Sequence, residues 1–340
     1  MLGQAPAPSP AQNLSYPLQN VEGTVTPADL FFVRDHFNEP QVSLRTWRLR
    51  IEGRVSRPLE ITLADLIESP VTKIQAVLEC AGNAPGGSAV SNGIWEGVPL
   101  SHLLRTAGVE REAATVVLEG ADSGRLATTS PELPYSQIVP VEKCMQPESI
   151  VAFKLNDSFL LRKNGFPARA LFPGWYAMDS VKWLQRIRVL GRGDTASDFE
   201  ASGMDKLYNR VLKSDSGAPD VTRLSELGVK SSIAWPPGNT NLPAGRYVIR
   251  GFAWAGSGSV RSVEISFDGG RAWSGAKTEN PPQRFAWVRW NYEWNAPPGD
   301  HVLMSRATDD AGRRQPLKRD PARKDGYGMD FCMPVRCSVR

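Results

Sequence analysis

A single thiol, Cys80, stands where a stretch of strand-like sequence gives way to turn residues. Residues 74–79 alternate with the period of two that a pleated strand requires. The next eight residues, AGNAPGGS at 81–88, are rich in glycine and other turn formers, so the backbone here can approach a ligand closely. A cysteine in this setting is typical of a soft metal ligand or a nucleophile, and the alternative is a small buried hydrophobic side chain.

The remaining cysteines, Cys144, Cys332 and Cys337, add no metal-binding pattern. The chain has no CxxC, no haem-attachment CxxCH and no zinc spacing. Cys332 and Cys337 are five residues apart, so on one strand they would face opposite ways and would not pair. A cysteine hydrolase is an alternative that needs a histidine base near Cys80, and the chain has only three histidines.

A basic segment at 160–169, LLRKNGFPAR, has the composition of a phosphate-binding turn. It combines three cationic side chains with a flexible Gly-Phe-Pro turn, and a planar guanidinium matches phosphate geometry. A solvated charged edge is the alternative. The apolar residues at 170–176 predict that Arg169 is drawn inward, towards a ligand.

Asp122 falls in a predicted turn at 121–124, directly after a predicted strand at 114–120. Its carboxylate either caps the local backbone or accepts hydrogen bonds from a bound group. The amino-acid sequence by itself does not decide between these two roles.

Composition places the chain among ordinary globular proteins, with 41% hydrophobic and 22% charged residues. The net charge of +4 does not predict a nucleic-acid partner. No apolar run approaches the length of a membrane span. No export signal is visible, so we expect a periplasmic location if a leader has been removed and a cytoplasmic one otherwise.

Three regions are predicted: a disordered Pro/Ala-rich tail at 1–22, a first domain at 23–222 and a second at 223–340. The boundary is expected in SDSGAPDVT at 214–222. The first domain is predicted to be mainly β, with a short helix that begins at 62–65, a second helix at 101–107 and a loop at 131–139. The second has short strands at regular spacing and an Asp-Gly-Gly hairpin signal at 268–270, which predicts an immunoglobulin-like sandwich. The overall class is therefore α+β.

Three motifs occur in an order that resembles the molybdenum domain of sulfite oxidases, and assimilatory nitrate reductases share it. They are FFVRDH at 31–36, LECAGN at 78–83 and GFPARALFPGWYAMDSVKWL at 165–184. The likeness continues to the C-terminus, where the second domain resembles the dimerisation domain of that family. The resemblance implies a molybdenum ion bound to molybdopterin, whose dithiolene supplies two sulfurs so that one cysteine completes the thiolate ligands.

The resemblance also implies roles for individual residues. Cys80 would be the metal ligand, Arg34 would receive the anionic substrate, and Tyr208 would be the active-site tyrosine. The pterin and its phosphate would be held by a larger set: Phe31, Phe32, Val33, Arg34, Asp35, Cys80, Asp122, Asn164, Arg169, Ser180, Val181 and Lys182.

The implied function is two-electron oxo transfer to or from a small anion, sulfite foremost, by a homodimer. No haem or flavin domain is present in the sequence, so electrons would pass to a separate acceptor such as a cytochrome c. Ala84-Pro85 stand where the family has two arginines, and Asn164 replaces a histidine. The alternatives are a nitrate reductase-like enzyme acting on another sulfur or nitrogen oxyanion, and a cofactor-free Ig-like binding protein.

Overall fold

The computed structural model describes residues 9–129, 131–194, 204, 207–213 and 220–340. The chain divides into two compact units that interleave along the sequence. The first unit comprises Met1–Leu14, Pro27–Ile74 and Gly93–Leu207, and the second comprises Ser15–Thr26, Gln75–Asn92 and Tyr208–Arg340. Most of the predicted boundary segment, residues 214–219, lies outside the described residues.

The N-terminal half contains twelve described strands and three α-helices up to residue 194. The strands are β1 (Asn13–Leu14), β2 (Val33–Arg34), β3 (Leu49–Gly53), β4 (Leu59–Ile61), β5 (Thr72–Glu79), β6 (Val90–Pro99), β7 (Ala113–Gly124), β8 (Leu133–Pro140), β9 (Ile150–Leu155), β10 (Ser158–Phe159), β11 (Arg169–Leu171) and β12 (Leu184–Gly191). The helices are α1 (Leu63–Glu68), α2 (Leu100–Ala107) and α3 (Val141–Cys144), and short 3₁₀ turns lie at Leu18–Asn20, Arg162–Asn164 and Ala177–Asp179.

Two five-stranded sheets form most of this half. One has the order β4-β3-β12-β7-β8, in which β12 is parallel to β3 and antiparallel to β7. The other has the order β10-β9-β6-β5, with β11 paired to β9. Side chains along β3 alternate between the two faces of the sheet, as in any strand: Leu49 and Ile51 are fully buried, whereas Arg50 between them is exposed.

Local signals predicted the helix ends correctly. Thr62 caps α1, and its hydroxyl and the Asp65 carboxylate form the reciprocal hydrogen bonds of a capping box. Gly108 ends α2 in the left-handed conformation, with φ of 69°.

Three local predictions are wrong. Residues 131–139 are not a loop, because β8 runs through Leu133–Pro140 and pairs with β7. Residues 121–124 are not a turn: β7 continues to Gly124, with a bulge in its pairing between Glu119 and Ser123. The tail is ordered over residues 9–22, where β1 pairs with β2 and Leu18 is buried; residues 1–8 lie outside the described part.

The C-terminal part is all-β in its described residues. Its strands are β13 (Asn209–Leu212), β14 (Asp220–Arg223), β15 (Lys230–Trp235), β16 (Thr240–Leu242), β17 (Gly245–Trp254), β18 (Val260–Ser266), β19 (Ser274–Thr278), β20 (Val288–Ala296), β21 (Gly299–Asp309) and β22 (Val335–Val339). β13 pairs with β14, and the other eight form one sheet in the order β15-β17-β20-β19-β18-β21-β22-β16. β19 pairs with both β18 and β20, so the sheet folds over on itself, and β15 packs against β21. Ile249, Trp290 and Leu303 are fully buried between the layers.

This architecture confirms the predicted α+β class with a mainly-β first part and an immunoglobulin-like sandwich. The Asp-Gly-Gly signal lies in the β18–β19 hairpin as expected. Among the described residues, no helix is both long enough and apolar enough to cross a bilayer.

Candidate functional site

Arg169 is a buried cation in the first unit. It lies on β11 with 6% of its surface exposed, and its guanidinium donates to the carbonyls of Ser180 at 2.7 Å and Asn164 at 3.1 Å. The same group lies over the ring of Trp95, 5.3 Å from the centroid. Burial lowers the pKa of Arg169 to about 9, so the group would gain from a buried anion. The prediction that Arg169 is drawn inward is confirmed.

A second cation, Lys182, pairs with Asp35. The ammonium donates to one Asp35 oxygen and, at 3.0 Å, to the carbonyl of Lys163. The other Asp35 oxygen accepts from the backbone N–H of Gln12 at 2.9 Å. Burial lowers the pKa of Lys182, and Asp35 opposes that shift. Asp35, which belongs to the FFVRDH motif, therefore holds Lys182 in place.

Asp122 has a buried carboxylate oxygen, Oδ1, that accepts no hydrogen bond. The side chain lies on β7, and burial raises its pKa to about 7. Gly120 keeps the space beside it open, because a Cβ there would lie 2.4 Å from Oδ1. A buried acceptor without a donor is unusual in a folded protein. The arrangement suits a ligand that brings N–H groups.

The remaining predicted cofactor residues of this unit are buried, with one exception. Asn164 donates to the carbonyl of Ala28 at 2.9 Å, and the Ser180 hydroxyl accepts from the Phe172 N–H at 3.1 Å. Phe31, Phe32, Val33 and Val181 are buried apolar side chains. Arg34 is the exception and differs from the expected inward orientation: it is exposed and donates to the carbonyl of Asp35 at 2.6 Å.

His36 adjoins this cation cluster. Its ring stacks on Tyr135, with centroids 5.0 Å apart. Burial, followed by the charge of Arg34, lowers the pKa of His36 to about 4. The imidazole is therefore neutral at physiological pH and adds no charge to the cluster.

Cys80 belongs to the second unit and directly follows β5. Its N–H donates to the carbonyl of Ala89 and its carbonyl accepts from the N–H of Asn83, both at 2.9 Å, so the turn is closed on both sides. It is partly exposed, whereas Cys144, Cys332 and Cys337 are buried. Burial raises the pKa of Cys332 to about 12 and also raises the pKa values of Cys144 and Cys337.

Glu79, immediately before the thiol, is a buried carboxylate that positions the Cys80 turn and that the sequence analysis did not select. Its carboxylate is fully buried and accepts from Lys230 at 2.5 Å, from the Trp254 indole at 2.9 Å and from the Asn83 amide at 2.9 Å. The Asn83 oxygen in turn accepts from the Ala89 N–H at 3.0 Å. A charged residue at the end of an apolar strand was the only signal in the sequence.

Two tyrosines lie together in the second unit. Tyr208 is 7% exposed and adopts a left-handed conformation with φ of 57°. Its ring centroid is 5.1 Å from that of Tyr327, which the sequence analysis did not select. Tyr327 also packs against the turn after Cys80, because a Cβ on Gly82 would lie 3.9 Å from its ring.

Comparison with known proteins identifies the fold. Residues 36–197 match the family described as oxidoreductase molybdopterin binding domain, and residues 222–322 match the Mo-co oxidoreductase dimerisation domain. The chain belongs to the sulfite oxidase family of molybdopterin-dependent oxidoreductases.

Relatives within the family include enzymes of two named activities. Mitochondrial sulfite oxidase of Homo sapiens is 30% identical over 321 residues, covering 87% of this chain and 58% of that protein. The NADH nitrate reductase of Ulva prolifera is 31% identical, covering 79% of this chain and 35% of that protein. The chain therefore spans little more than half of the first and about a third of the second.

A solved structure extends the likeness over almost the whole chain. The sulfane dehydrogenase SoxCD from Paracoccus pantotrophus superposes with a TM-score of 0.84 at 28% identity, covering 98% of this chain and 86% of that one.

The residues present fit the cofactor of the sulfite oxidase family. Asp122 offers an unused buried acceptor, Arg169 offers a buried positive charge for a phosphate, and Lys182 offers a second, partly buried cation beside Asp35. Within the described ranges, no three His, Cys, Asp or Glu side chains group as an all-protein metal site would require. A metal held by Cys80 would thus need ligands from the cofactor, as a dithiolene supplies.

Proposed function

We propose that the chain is a molybdenum-dependent dehydrogenase that oxidises a small sulfur oxyanion, sulfite foremost, and passes the electrons to a separate acceptor. The observation that carries this proposal is the exposure of Cys80, the one partly exposed thiol among the four cysteines. When bound, the molybdenum cofactor supplies oxo transfer and two-electron redox chemistry. For sulfite the balance is sulfite plus water giving sulfate, two protons and two electrons.

The residues of the chain itself bind the cofactor and fix its orientation. Arg169 and Lys182 neutralise the cofactor phosphate, while Asp122 accepts from the amino groups of the pterin. Asn164 and Ser180 fix the surrounding backbone through their own hydrogen bonds, and Val181 and residues 31–35 shape the pocket wall. Cys80 is the protein ligand of the metal.

Two further roles concern the substrate. Arg34 is exposed and can meet an anion from solvent. Tyr208 is a candidate active-site phenol, although its burial beside Tyr327 leaves the second tyrosine nearer to the Cys80 turn.

The proposed partners are a one-electron acceptor, such as a cytochrome c, and a second copy of this chain. The match of residues 222–322 to a dimerisation domain supports the homodimer. We assign the cofactor domain to residues 23–222 and the dimerisation domain to 223–340.

Nitrate reduction is a second candidate for the activity of this chain. The relative from Ulva prolifera supports the same alternative.

One experiment separates these activities. The protein is produced in a host that makes molybdopterin, and its molybdenum content and thiolate-to-metal absorption are measured. Turnover is then assayed with sulfite and an artificial electron acceptor, and with nitrate and a reduced dye. Sulfite oxidation by molybdenum-loaded protein supports the proposal, nitrate reduction alone supports the second candidate, and a metal-free product would favour a cofactor-free binding protein.

A further inference from the structure

Asn83 lies inside the loop at 80–89 that begins with Cys80, and only 5% of its surface is exposed. Its side-chain oxygen accepts from the N–H of Ala89 at 3.0 Å. The carbonyl of Ala89 accepts from the N–H of Cys80, and the carbonyl of Cys80 accepts from the N–H of Asn83, both at 2.9 Å. Asn83 therefore joins the two ends of the loop and contacts the backbone of Cys80 directly.

A buried carboxylate fixes the orientation of the Asn83 amide. The amide nitrogen donates to Glu79 at 2.9 Å, and a carboxylate only accepts, so the amide oxygen must face Ala89. A hydrogen bond to a charged acceptor polarises the amide and makes its oxygen a stronger acceptor. Glu79 is thus linked to the backbone of Cys80 through Asn83 and Ala89.

Glu79 is itself held by two strands of the C-terminal sheet. It accepts from Lys230 on β15 and, at 2.9 Å, from the indole of Trp254 on β17. Both donors lie within residues 222–322, the segment matched to the dimerisation domain. That segment therefore supports the loop that carries the thiol.

Gly87 leaves the space that the Asn83 side chain occupies. A Cβ on Gly87 would lie 2.5 Å from the Asn83 Oδ1 and 2.9 Å from the carbonyl oxygen of Ala84. Neither distance is possible without moving the amide or the loop, so the close approach requires glycine at this position.

We propose that Asn83 is a positioning residue for Cys80, acting through the loop backbone to hold the thiol where it binds the metal. The inference rests on the proposed role of Cys80 as the metal ligand and adds the residue that orients this ligand. Ligands of a bound metal are oriented by hydrogen bonds from groups behind them, and losing such a group weakens metal binding or activity. Here that group is the Asn83 amide, supported by Glu79, Lys230 and Trp254.

The test uses the full-length protein, produced with its cofactor, and two variants that break the same contact from opposite sides. Asn83→Ala removes the amide, and Gly87→Ala places a methyl group against it. Each variant has a matched control. Asn291→Ala removes an exposed hydrogen bond to Glu279, and Gly275→Ala adds a Cβ that meets nothing within 4 Å.

Three measurements report on the loop and the thiol. In both test variants, the amide hydrogens of residues 80–89 should exchange at least about threefold faster than in wild type, because a lost hydrogen bond raises the population of the open loop. The thiolate-to-metal absorption maximum should shift. Alkylation of Cys80 by iodoacetamide should also be at least about threefold faster. The two controls should match wild type in all three measurements.

Asn83→Asp gives a readout that a general loss of stability would not give. A protonated carboxyl group donates to Glu79 and accepts from Ala89 as the amide does, whereas an ionised one beside Glu79 and its partner Lys230 cannot donate. Exchange in residues 80–89, taken as a ratio to wild type at each pH, should therefore be near one at about pH 5 and rise towards the ratio of Asn83→Ala by about pH 9. A ratio that does not change with pH would contradict the role of the amide donor.

The outcomes separate this inference from the proposed function. If loaded wild type shows the thiolate-to-metal absorption and neither Asn83→Ala nor Gly87→Ala shifts it, the positioning role is refuted, even where exchange is faster. If the protein holds no molybdenum, the proposed function fails and alkylation decides the role of Asn83. Faster alkylation of Cys80 in Asn83→Ala but not in Asn291→Ala then supports the role, and equal rates refute it.

Discussion

Lys230 and Glu79 form an ion pair in the interior of the second unit, with the ammonium 2.5 Å from the carboxylate and side chains 3% and 0% exposed. The pair joins β15 to the residue before Cys80, and the indole of Trp254 completes it. A charge pair this deeply buried is costly to break, because the remaining partner has no water to solvate it.

Removing one member of this pair should destabilise the protein strongly. Glu79→Gln leaves Lys230 charged and buried, so we expect the free energy of unfolding to fall by about 3–5 kcal/mol. The double variant Glu79→Gln/Lys230→Met removes the orphaned charge and should recover a large part of that loss. Chemical denaturation measures the free energy of unfolding of the single and the double variant. Asp300→Asn, which breaks the exposed pair with Arg340, is the control and should cost less than about 1 kcal/mol. Equal losses for Glu79→Gln and Asp300→Asn would contradict this prediction.

Cys80→Ser should keep the fold and the pterin but abolish turnover. An alkoxide is a harder donor than a thiolate, so the redox behaviour of the metal changes. The thiolate-to-metal absorption should weaken while the pterin content stays constant. Cys332→Ala, at a buried thiol, should preserve both absorption and activity. Substantial activity in Cys80→Ser would show that the ligand lies elsewhere.

Arg169→Gln should weaken cofactor retention before it affects catalysis. Loss of a charged hydrogen bond to phosphate costs about 1.5–3 kcal/mol, which corresponds to about a 10- to 150-fold loss of affinity. Molybdopterin content after extensive dialysis is the measurement. Arg54→Gln, which breaks an exposed pair with Asp194, is the matched control. Full retention in Arg169→Gln would remove Arg169 from the phosphate site.

Asp122 should make the stability of cofactor-free protein depend on pH. Its pKa is 3.8 ordinarily and about 7 in the fold, so the folded state keeps a proton that the unfolded chain has lost. The contribution of Asp122 to the free energy of unfolding is therefore complete below about pH 4 and is lost as the pH rises through about 7, by at most about 4 kcal/mol. Asp122→Asn should consequently gain stability relative to wild type between pH 4 and pH 8.

The comparison with wild type matters because His36 titrates in the same range. Its pKa is lowered to about 4, so its contribution is present above about pH 6.5 and is lost as the pH falls towards 4, the opposite trend. Subtracting the free energy of unfolding of the wild type at each pH removes the contribution of His36 and leaves that of Asp122. A difference between Asp122→Asn and wild type that is independent of pH would show that the carboxyl group is not perturbed.

Light scattering should find a homodimer at micromolar concentration. This expectation rests on the match of residues 222–322 to a dimerisation domain. A monomeric full-length protein would contradict the assignment.

Structural features that depend on neighbouring residues could be predicted from the sequence. Features that depend on partners far away in the chain could not. The capping box at Thr62 and the hairpin at 268–270 need only residues within one turn of each other. Glu79 owes its role to Lys230, 151 positions away in the chain, and no local pattern indicates such a pairing.

The wrong loop at 131–139 has a related cause. Two prolines, Pro131 and Pro134, lie in this segment, and β8 is the edge strand of its sheet, where a missing N–H is tolerated. Asp122 was assigned to a turn because the bulge in β7 cannot be told from a chain reversal without the partner strand. Asp122 was therefore placed in a turn, whereas it lies on a bulged strand.

The interleaving of the two units has a consequence for the order of biosynthesis. The Cys80 turn leaves the ribosome early. Lys230, which pairs with Glu79, and Gly328, which donates to Ala81, are synthesised much later. The turn can therefore reach its final shape only after residue 328 has been synthesised. Cofactor loading should follow the synthesis of this segment, so nascent chains that end before residue 328 would be free of molybdenum.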